Sequence, residues 1–449
     1  MADVSPFRGL VYNPDMIEDL SHVVTPPYDV ISDREQKLYY DRHPYNIIRL
    51  DKNKASPGDT KTDNPYTRAA AFFSQWLADG VLLQDPADTF YVTTVEFQIK
   101  SRKYVRFGLI ARVRLEPFEK RVILPHENTF SKYKSERLQL MKTCHANFSH
   151  IFSVFSDTEG LLEMLQSASA EFRPDLEFTD DDGHIHKMVR ITDADCQERI
   201  KRAIKDKRLF IADGHHRYET ALNYRDWLKE TQPDFDSDHP ANHVMMYICP
   251  IQEGLIIRPT HRVLRKIPDP ICMNFIEKAS RYFQIQSMPL ELDDIQEKLN
   301  CFMQSNPGSQ QIGLHIKEDP YLYLLTLKPG VMEELFGENI PLPLRKLDVT
   351  VFTRLILMHM LNFDEASLDD EEKIDFTSDD AEAVLSVVSG SHDMAVLLKP
   401  PTNGQVCQIA EAGLTMPRKT TFYYPKVISG QVMNLLKIND FEVGIEKAS

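Results

Sequence analysis

Between positions 104 and 115 the chain alternates without a break. Val105, Phe107, Leu109, Ala111, Val113 and Leu115 are interleaved with Arg106, Gly108, Ile110, Arg112 and Arg114. A period of two is the period of a β-strand, so this segment predicts a long strand with one buried face. Val95, Phe97 and Ile99 alternate just before it, and Lys100 to Lys103 joins the two runs. A β-hairpin is expected there, and a second one at the turn dipeptide Asp182-Gly183. Helices are marked by their ends. Asn64 and Pro65 open one, Gly80 closes it, and Ala69, Phe72, Phe73, Trp76 and Leu77 give it an apolar face. Further on, a helix Asp379 to Val388 capped by Ser378, a strand Met394 to Leu398 and a helix Thr402 to Ala412 are predicted. Strands and helices mixed in this way predict an α+β, or mixed α/β, fold.

The chain has 449 residues, which at ~150 residues per domain suggests about three domains. The apolar runs, such as Val244–Ile251 and Leu355–Met358, fall far short of the ~18 residues of a membrane span. The start, Met1 to Pro6, has neither a basic head nor an apolar stretch, so no signal peptide is expected. None of the six cysteines lies in a C-x-x-C pair. Free thiols in a reducing cytoplasm are the expectation. The net charge is −15, which argues against nucleic acid as a partner. Over half of that charge sits in Asp364 to Asp380, with nine acids and one lysine. This run reads as a solvated linker or loop face.

Chemistry concentrates in Leu209 to Leu222, where an apolar strand meets Asp213-Gly214 and then His215-His216-Arg217 at the start of a helix from Tyr218 to Glu230. The first turn of a helix exposes unpaired N–H groups and carries positive dipole character. Phosphate or carboxylate binds such a place readily. Arg217 adds a bidentate donor and the histidines further donors. Asp213 is a candidate metal ligand or histidine orienter. An ordinary turn with capping histidines is the bland alternative, and the H-H-R at the helix start favours the anion site. A second stretch runs from Leu124 through His126 and Glu127 to Ser131, followed by Lys132, Lys134 and Arg137 around a helix from Ser135 to Thr143. Glu127 is a candidate general base, and the three cations are candidate charge clamps. A third, Gly183-His184-Ile185-His186, puts two histidines on one strand face. Zinc binding is conceivable there, but without an evident third ligand a surface hairpin is the simpler expectation. In a fourth, Lys419, Thr420, Thr421 and Lys426 surround an aromatic core. They suit either phosphate or carboxylate binding, or a basic edge strand.

Ser5-Pro6-Phe7-Arg8-Gly9-Leu10, Pro26-Pro27-Tyr28-Asp29-Val30-Ile31-Ser32, Leu124-Pro125-His126-Glu127, Ala212 to Ala221 and Phe422-Tyr423-Tyr424-Pro425-Lys426 stand in order along the chain. Together they resemble a large bacterial family known as domain of unknown function 1015, from near residue 5 to near residue 437. The P-H-E segment, basic helix, strand and D-G-H-H-R also resemble the free serine kinases of the ParB/sulfiredoxin-like superfamily, over roughly 115–230. That resemblance implies a ParB/sulfiredoxin-like catalytic core at 113–262, between an N-terminal α/β region at 1–112 and a C-terminal one at 263–449. It implies a phosphotransferase that makes O-phosphoserine from free L-serine. Glu127 is then the base, with His126 and Asp213 beside it. Gly214, His215, His216 and Arg217 hold donor phosphate, helped by Lys132, Lys134 and Arg137, and Asp213 faces Mg²⁺.

Some members of the larger family are thought to use pyrophosphate, and the chain has no G-x-x-x-x-G-K-[ST] loop. The donor therefore stays open between pyrophosphate and ADP or ATP. The expected partners are small molecules, in the cytoplasm, with no nucleic acid and no membrane; the oligomeric state is left open. A non-catalytic phosphate- or nucleotide-binding module of ParB type is the alternative. Sulfiredoxin-type thiol chemistry is disfavoured, because no cysteine adjoins His215.

Overall fold

The computed structural model describes residues 1–127, 131–293, 295, 297–299, 310–368, 370 and 372–437, without the side chains of 131–134. The architecture is mixed α/β, as the sequence predicts. Its residues fall into two units. The first takes its described residues from 1–125, 131–256 and 425–437; the second takes His126, Glu127 and 257–424. The strand Arg102–Arg114 runs across position 112, and the segments on both sides of it belong to the first unit.

The first unit is built on a nine-stranded mixed sheet. Its order is Ile123–Leu124, Leu209–Asp213, Ile151–Phe155, His243–Pro250, Arg102–Arg114, Phe90–Ile99, Ile185–Ile191 and Leu176–Thr179, with Val4–Ser5 also beside Arg102–Arg114. The predicted hairpin is present and tight. Ile99 pairs with Arg102, which leaves Lys100 and Ser101 as the turn, and Lys100 takes a left-handed φ of 55°. The second hairpin also forms, between Leu176–Thr179 and Ile185–Ile191.

The single buried face predicted for 104–115 is a correction. Leu109, Ala111 and Val113 do enter the core with Ile151, Phe155, Ile211 and Ile248. The helices Leu161–Glu171 and His215–Thr231 supply Leu161, Leu165, Tyr218 and Ala221 to the same core. Yet Ile110 and Arg106 on the other face are fully buried as well, whereas Val105 is 40% exposed. Arg106 lies inside because its charge is met. Its Nη1 donates to the Pro425 carbonyl at 2.6 Å, its Nε donates to the Tyr247 hydroxyl, and its guanidinium faces the Phe152 ring at 5.1 Å. Gly108 makes room for Tyr247, since a Cβ there would collide with the phenol.

The helix Pro65–Ala78 is capped by Asn64, whose side chain accepts from the Tyr66 and Thr67 amides. It buries Ala69, Phe73 and Trp76 against Tyr12, Leu50 and Phe148.

The second unit holds a six-stranded antiparallel sheet: Phe283–Pro289, Tyr321–Leu327, Gln311–Ile316, Met394–Leu398, His261–Leu264 and Ile374–Thr377. Both faces are covered. Ile312, Leu314, Met394, Val396 and Leu398 pack with the π-helix Val351–Met360 and the helix Asn403–Glu411. Ala395 and Leu397 pack with Ala383, Val384 and Val387 of the helix Asp380–Val388. The cap of that helix is Asp379, not Ser378, because the Asp379 carboxylate accepts the Glu382 amide at 2.8 Å. The acidic run is likewise not a linker: Ile374–Thr377 is an edge strand paired with His261–Leu264. Asp375 on it pairs with Arg265 at 2.6 Å. The described cysteines Cys144, Cys196, Cys249, Cys272 and Cys407 are free thiols, and Cys301 lies outside the described residues. Among the described residues no helix is long and apolar enough to cross a membrane.

Gly108→Ala tests the account of the central strand. Tyr247 is held by Arg106 and by the edge of Phe152 and has little room to yield. Overpacking there is expected to destabilise the first unit by about 1–3 kcal/mol, read as a lower midpoint in urea unfolding.

Candidate functional site

The strand Leu209–Asp213 ends at Gly214, which has φ 92° and ψ 29°. Glycine enters this left-handed region at no steric cost. It also lets the Arg217 guanidinium lie close, since a Cβ on Gly214 would stand 2.9 Å from Arg217 Nε. The helix His215–Thr231 starts at once, and its N-cap, Gly214, has no side chain to offer its first amides. Seventeen residues are ample to build a positive N-terminal dipole.

Charge gathers around this turn. Lys426 Nζ lies 3.0 Å from Asp213 Oδ2, and Arg217 Nη2 lies 3.5 Å from Asp213 Oδ1. Burial alone would raise the Asp213 carboxyl, but Lys426 and Arg217 outweigh it and hold the group well below the usual carboxylate range. Arg217 Nη2 also stands 3.7 Å from Asp29 Oδ2, and its Nη1 donates to the His150 carbonyl. Its Nε and Nη2 complete no hydrogen bond, although the side chain is buried. Beside it, His150 is 1% exposed and neither ring nitrogen has a hydrogen-bond partner. Burial and the Arg217 charge bring its pKa down to about 3. A second cation lies in the same neighbourhood. Arg137 stacks over the Tyr28 ring at 3.9 Å, and Arg217 faces that ring at 5.9 Å. Arg137 is paired to the buried Asp51, toward which Ser149 and Ser429 also point their hydroxyls.

The first unit therefore brings together Asp213, Gly214, Arg217, Arg137 and Lys426, with His215 buried and His216 half-buried in the first helical turn. Tyr28, Asp29, Asp51 and His150 belong to the same cluster and carry no site role in the sequence reading. A signal existed for the first two, since Pro26-Pro27 fixes an extended approach to Tyr28-Asp29. Asp51 and His150 gave none. The helix expected at Ser135 to Thr143 is present as Ser131–Cys144, but the side chains of Lys132 and Lys134 lie outside the described residues.

His126 and Glu127 belong to the second unit. His126 is fully buried, its Nε2 is 3.0 Å from Thr421 Oγ1, and its carbonyl accepts the Met416 amide. His126 Nε2 and Glu127 Oε1 are 4.0 Å apart. The buried Arg262 donates to the Arg418 and Lys419 carbonyls. Its pKa falls to about 10 through burial, against the opposing charge of Glu127. Of the four-residue basic group, Thr421 thus meets His126, Lys426 meets Asp213, Thr420 donates to the Pro417 carbonyl, and Lys419 faces the Phe376 ring at 5.6 Å.

A mixed α/β protein with a buried strand–glycine–helix turn rich in paired charges is the class these features define. The chain belongs to the family described as protein of unknown function (DUF1015), whose model matches residues 4–350. No curated protein matches it. Among solved structures it is similar to a free serine kinase in complex with AMP, at 9% identity, 70% coverage of this chain, 86% of that one and a TM-score of 0.32. It is also similar to a conserved hypothetical protein from Pyrococcus furiosus, at 11% identity, 71% and 92% coverage and a TM-score of 0.31. A third is SbnI with C-terminal truncation from Staphylococcus aureus, at 12% identity, 75% and 93% coverage and a TM-score of 0.35.

The depressed His150 pKa sets a pH dependence. The folded protein holds this ring neutral until about pH 3, whereas the unfolded chain protonates it near 6.5. Between those values the unfolded state binds more protons, so this contribution is complete above about pH 6.5 and is lost as pH falls toward 3. The slope is about 1.4 kcal/mol per pH unit for one proton. His150→Gln is expected to flatten the stability–pH curve by up to that amount, measured by urea unfolding across the window.

Proposed function

We propose that the protein is a small-molecule phosphotransferase that moves a phosphoryl group from pyrophosphate, or from ADP or ATP, to the hydroxyl of free L-serine, giving O-phosphoserine. The reading rests on the buried Arg217. Two of its nitrogens complete no hydrogen bond, beside a helix start whose N-cap is a glycine and a histidine with both nitrogens unpartnered. Buried donors without acceptors are costly, and an anion seated on the turn would satisfy them. The family resemblance of D-G-H-H-R and P-H-E supplies the choice of phosphate as the anion and serine as the acceptor.

In this reading the Asp213–Arg217 turn and His216 seat the donor phosphate, and Lys426 keeps Asp213 ionised. The serine oxygen attacks the terminal phosphorus, the bond from phosphorus to the leaving phosphate breaks, and the hydroxyl proton passes to a carboxylate base, the role that the family resemblance gives to Glu127. Positioning and charge stabilisation are the main demands of this chemistry. Asp29 and Asp213 flank one nitrogen of Arg217 and are hard oxygen donors, so the residues fit Mg²⁺ brought in with the donor. When bound, that ion would offset phosphate charge.

The test is incubation with L-serine, Mg²⁺ and each donor in turn, with phosphoserine followed by mass spectrometry. Product is expected with at least one donor. Donor bound but never consumed would favour the non-catalytic binding module instead. Glu127→Gln is expected to lower kcat by about 10²–10⁴-fold with donor affinity retained. Loss of donor binding along with turnover would instead assign Glu127 to the phosphate seat.

A further inference from the structure

We infer that Asp180, His184 and His186 form a binding site for a divalent transition-metal ion of the zinc class. The sequence reading expects incidental surface histidines without a third ligand. The structure corrects both points: His184 and His186 are 4% and 1% exposed, and Asp180 is the third ligand.

The site follows from the local chain. Gly183 turns with φ 79°, and the Gly183 amide donates to the Asp180 carbonyl. This folds Leu176–Thr179 back on Ile185–Ile191, with Thr179 opposite Ile185. Asp180 then falls opposite His184, and a strand period of two puts His186 on the same face. The carboxylate is aimed. Its Oδ1 accepts the amides of Asp182 and His184 at 3.0 and 2.9 Å, which leaves Oδ2 for the rings. Oδ2 lies 3.0 Å from His184 Nδ1 and 2.8 Å from His186 Nε2. The rings are aimed too. Phe178 stacks on His186 at 4.9 Å, and Phe97 meets His184 edge-on at 6.1 Å.

Two neutral nitrogens and one carboxylate oxygen are a borderline donor set that suits zinc, with a fourth position left for water or another ligand atom. Ligand atoms of a tetrahedral zinc stand about 3.3 Å apart at bond lengths of about 2.0–2.1 Å. The three ligand atoms lie within 4.8 Å of one another, and the two oxygen–nitrogen distances, 3.0 and 2.8 Å, are already close to that spacing. His186 Nδ1 is buried without a partner, so water does not compete for this ring. Asp180 is the partly exposed member and the exposed Asp182 follows it, while Asp181 between them is paired with Arg42 at 2.7 Å. The site shares no residue with the phosphate seat, and four strands separate Ile185–Ile191 from Leu209–Asp213 in the sheet order.

The full chain, stripped with a chelator, is titrated with Co²⁺ in the absence of any phosphate. One equivalent is expected to bind with the visible d–d bands of a four-coordinate ion, and Zn²⁺ is expected to displace it. The double variant His184→Asn, His186→Gln is expected to lower the affinity by at least about 100-fold. Wild-type protein that binds no more Co²⁺ than the double variant overturns the site. Should the double variant lose its far-UV circular dichroism, Asp180→Asn serves instead. It keeps an acceptor for the two amides and removes the anionic ligand, so unchanged Co²⁺ affinity there overturns the site equally.

Discussion

The Asp213 carboxylate is charged, largely buried and flanked by Lys426 on one oxygen and Arg217 on the other. Removing one partner from such a cluster leaves an uncompensated buried charge, which costs about 3–5 kcal/mol. The arrangement therefore ties three points of the chain together, of which Lys426 is 213 positions from Asp213. Around that tie the C-terminal segment makes further contacts within the first unit. Pro425 receives Arg106, Ser429 pairs with Thr25, Met433 with Leu10 and Asn434 with Asn147. The proposed phosphate seat is complete only when the end of the described chain has returned to the first unit. Closing contacts of such long sequence separation is slow in folding.

Buried cations recur through the first unit, and each is met in a different way. Arg106 meets a carbonyl, a phenol and aromatic faces and leaves only its Nη2 without a hydrogen bond. Arg137 has Asp51 and the face of Tyr28. Arg217 differs, with carboxylates at the edge of ion-pair range and two nitrogens without hydrogen bonds. Structural ion pairs are normally closed by short hydrogen bonds. That incomplete closure beside a helix start is the observation on which the proposed phosphate seat rests.

The hairpin at 90–114 and the helix at 65–78 were legible because one period ran through each and local caps marked the ends. The six-stranded sheet was not. Its one expected strand, Met394–Leu398, is present as an apolar run buried at every position, but the sequence marked none of its five neighbours in the sheet. Arg106 misled the reading in the opposite direction, since a charge on an alternating strand signals solvent unless distant groups meet it. The strand–glycine–helix turn was legible because it is contiguous. Asp51 and His150 were not, because only the folded chain brings them to Arg217. Asp180, the third member of the proposed metal site, was hidden in the same way, within an acidic turn.

The account stands or falls on whether the Asp213–Arg217 turn seats a phosphate. Isothermal titration calorimetry of pyrophosphate into the full chain, compared with Arg217→Met of matched circular dichroism, measures this directly. One molecule is expected to bind the wild-type protein, and loss of a charge-assisted donor worth about 1.5–3 kcal/mol weakens it about 10- to 100-fold in the variant. Equal affinity in the two proteins, or no binding to the wild type, would contradict the account.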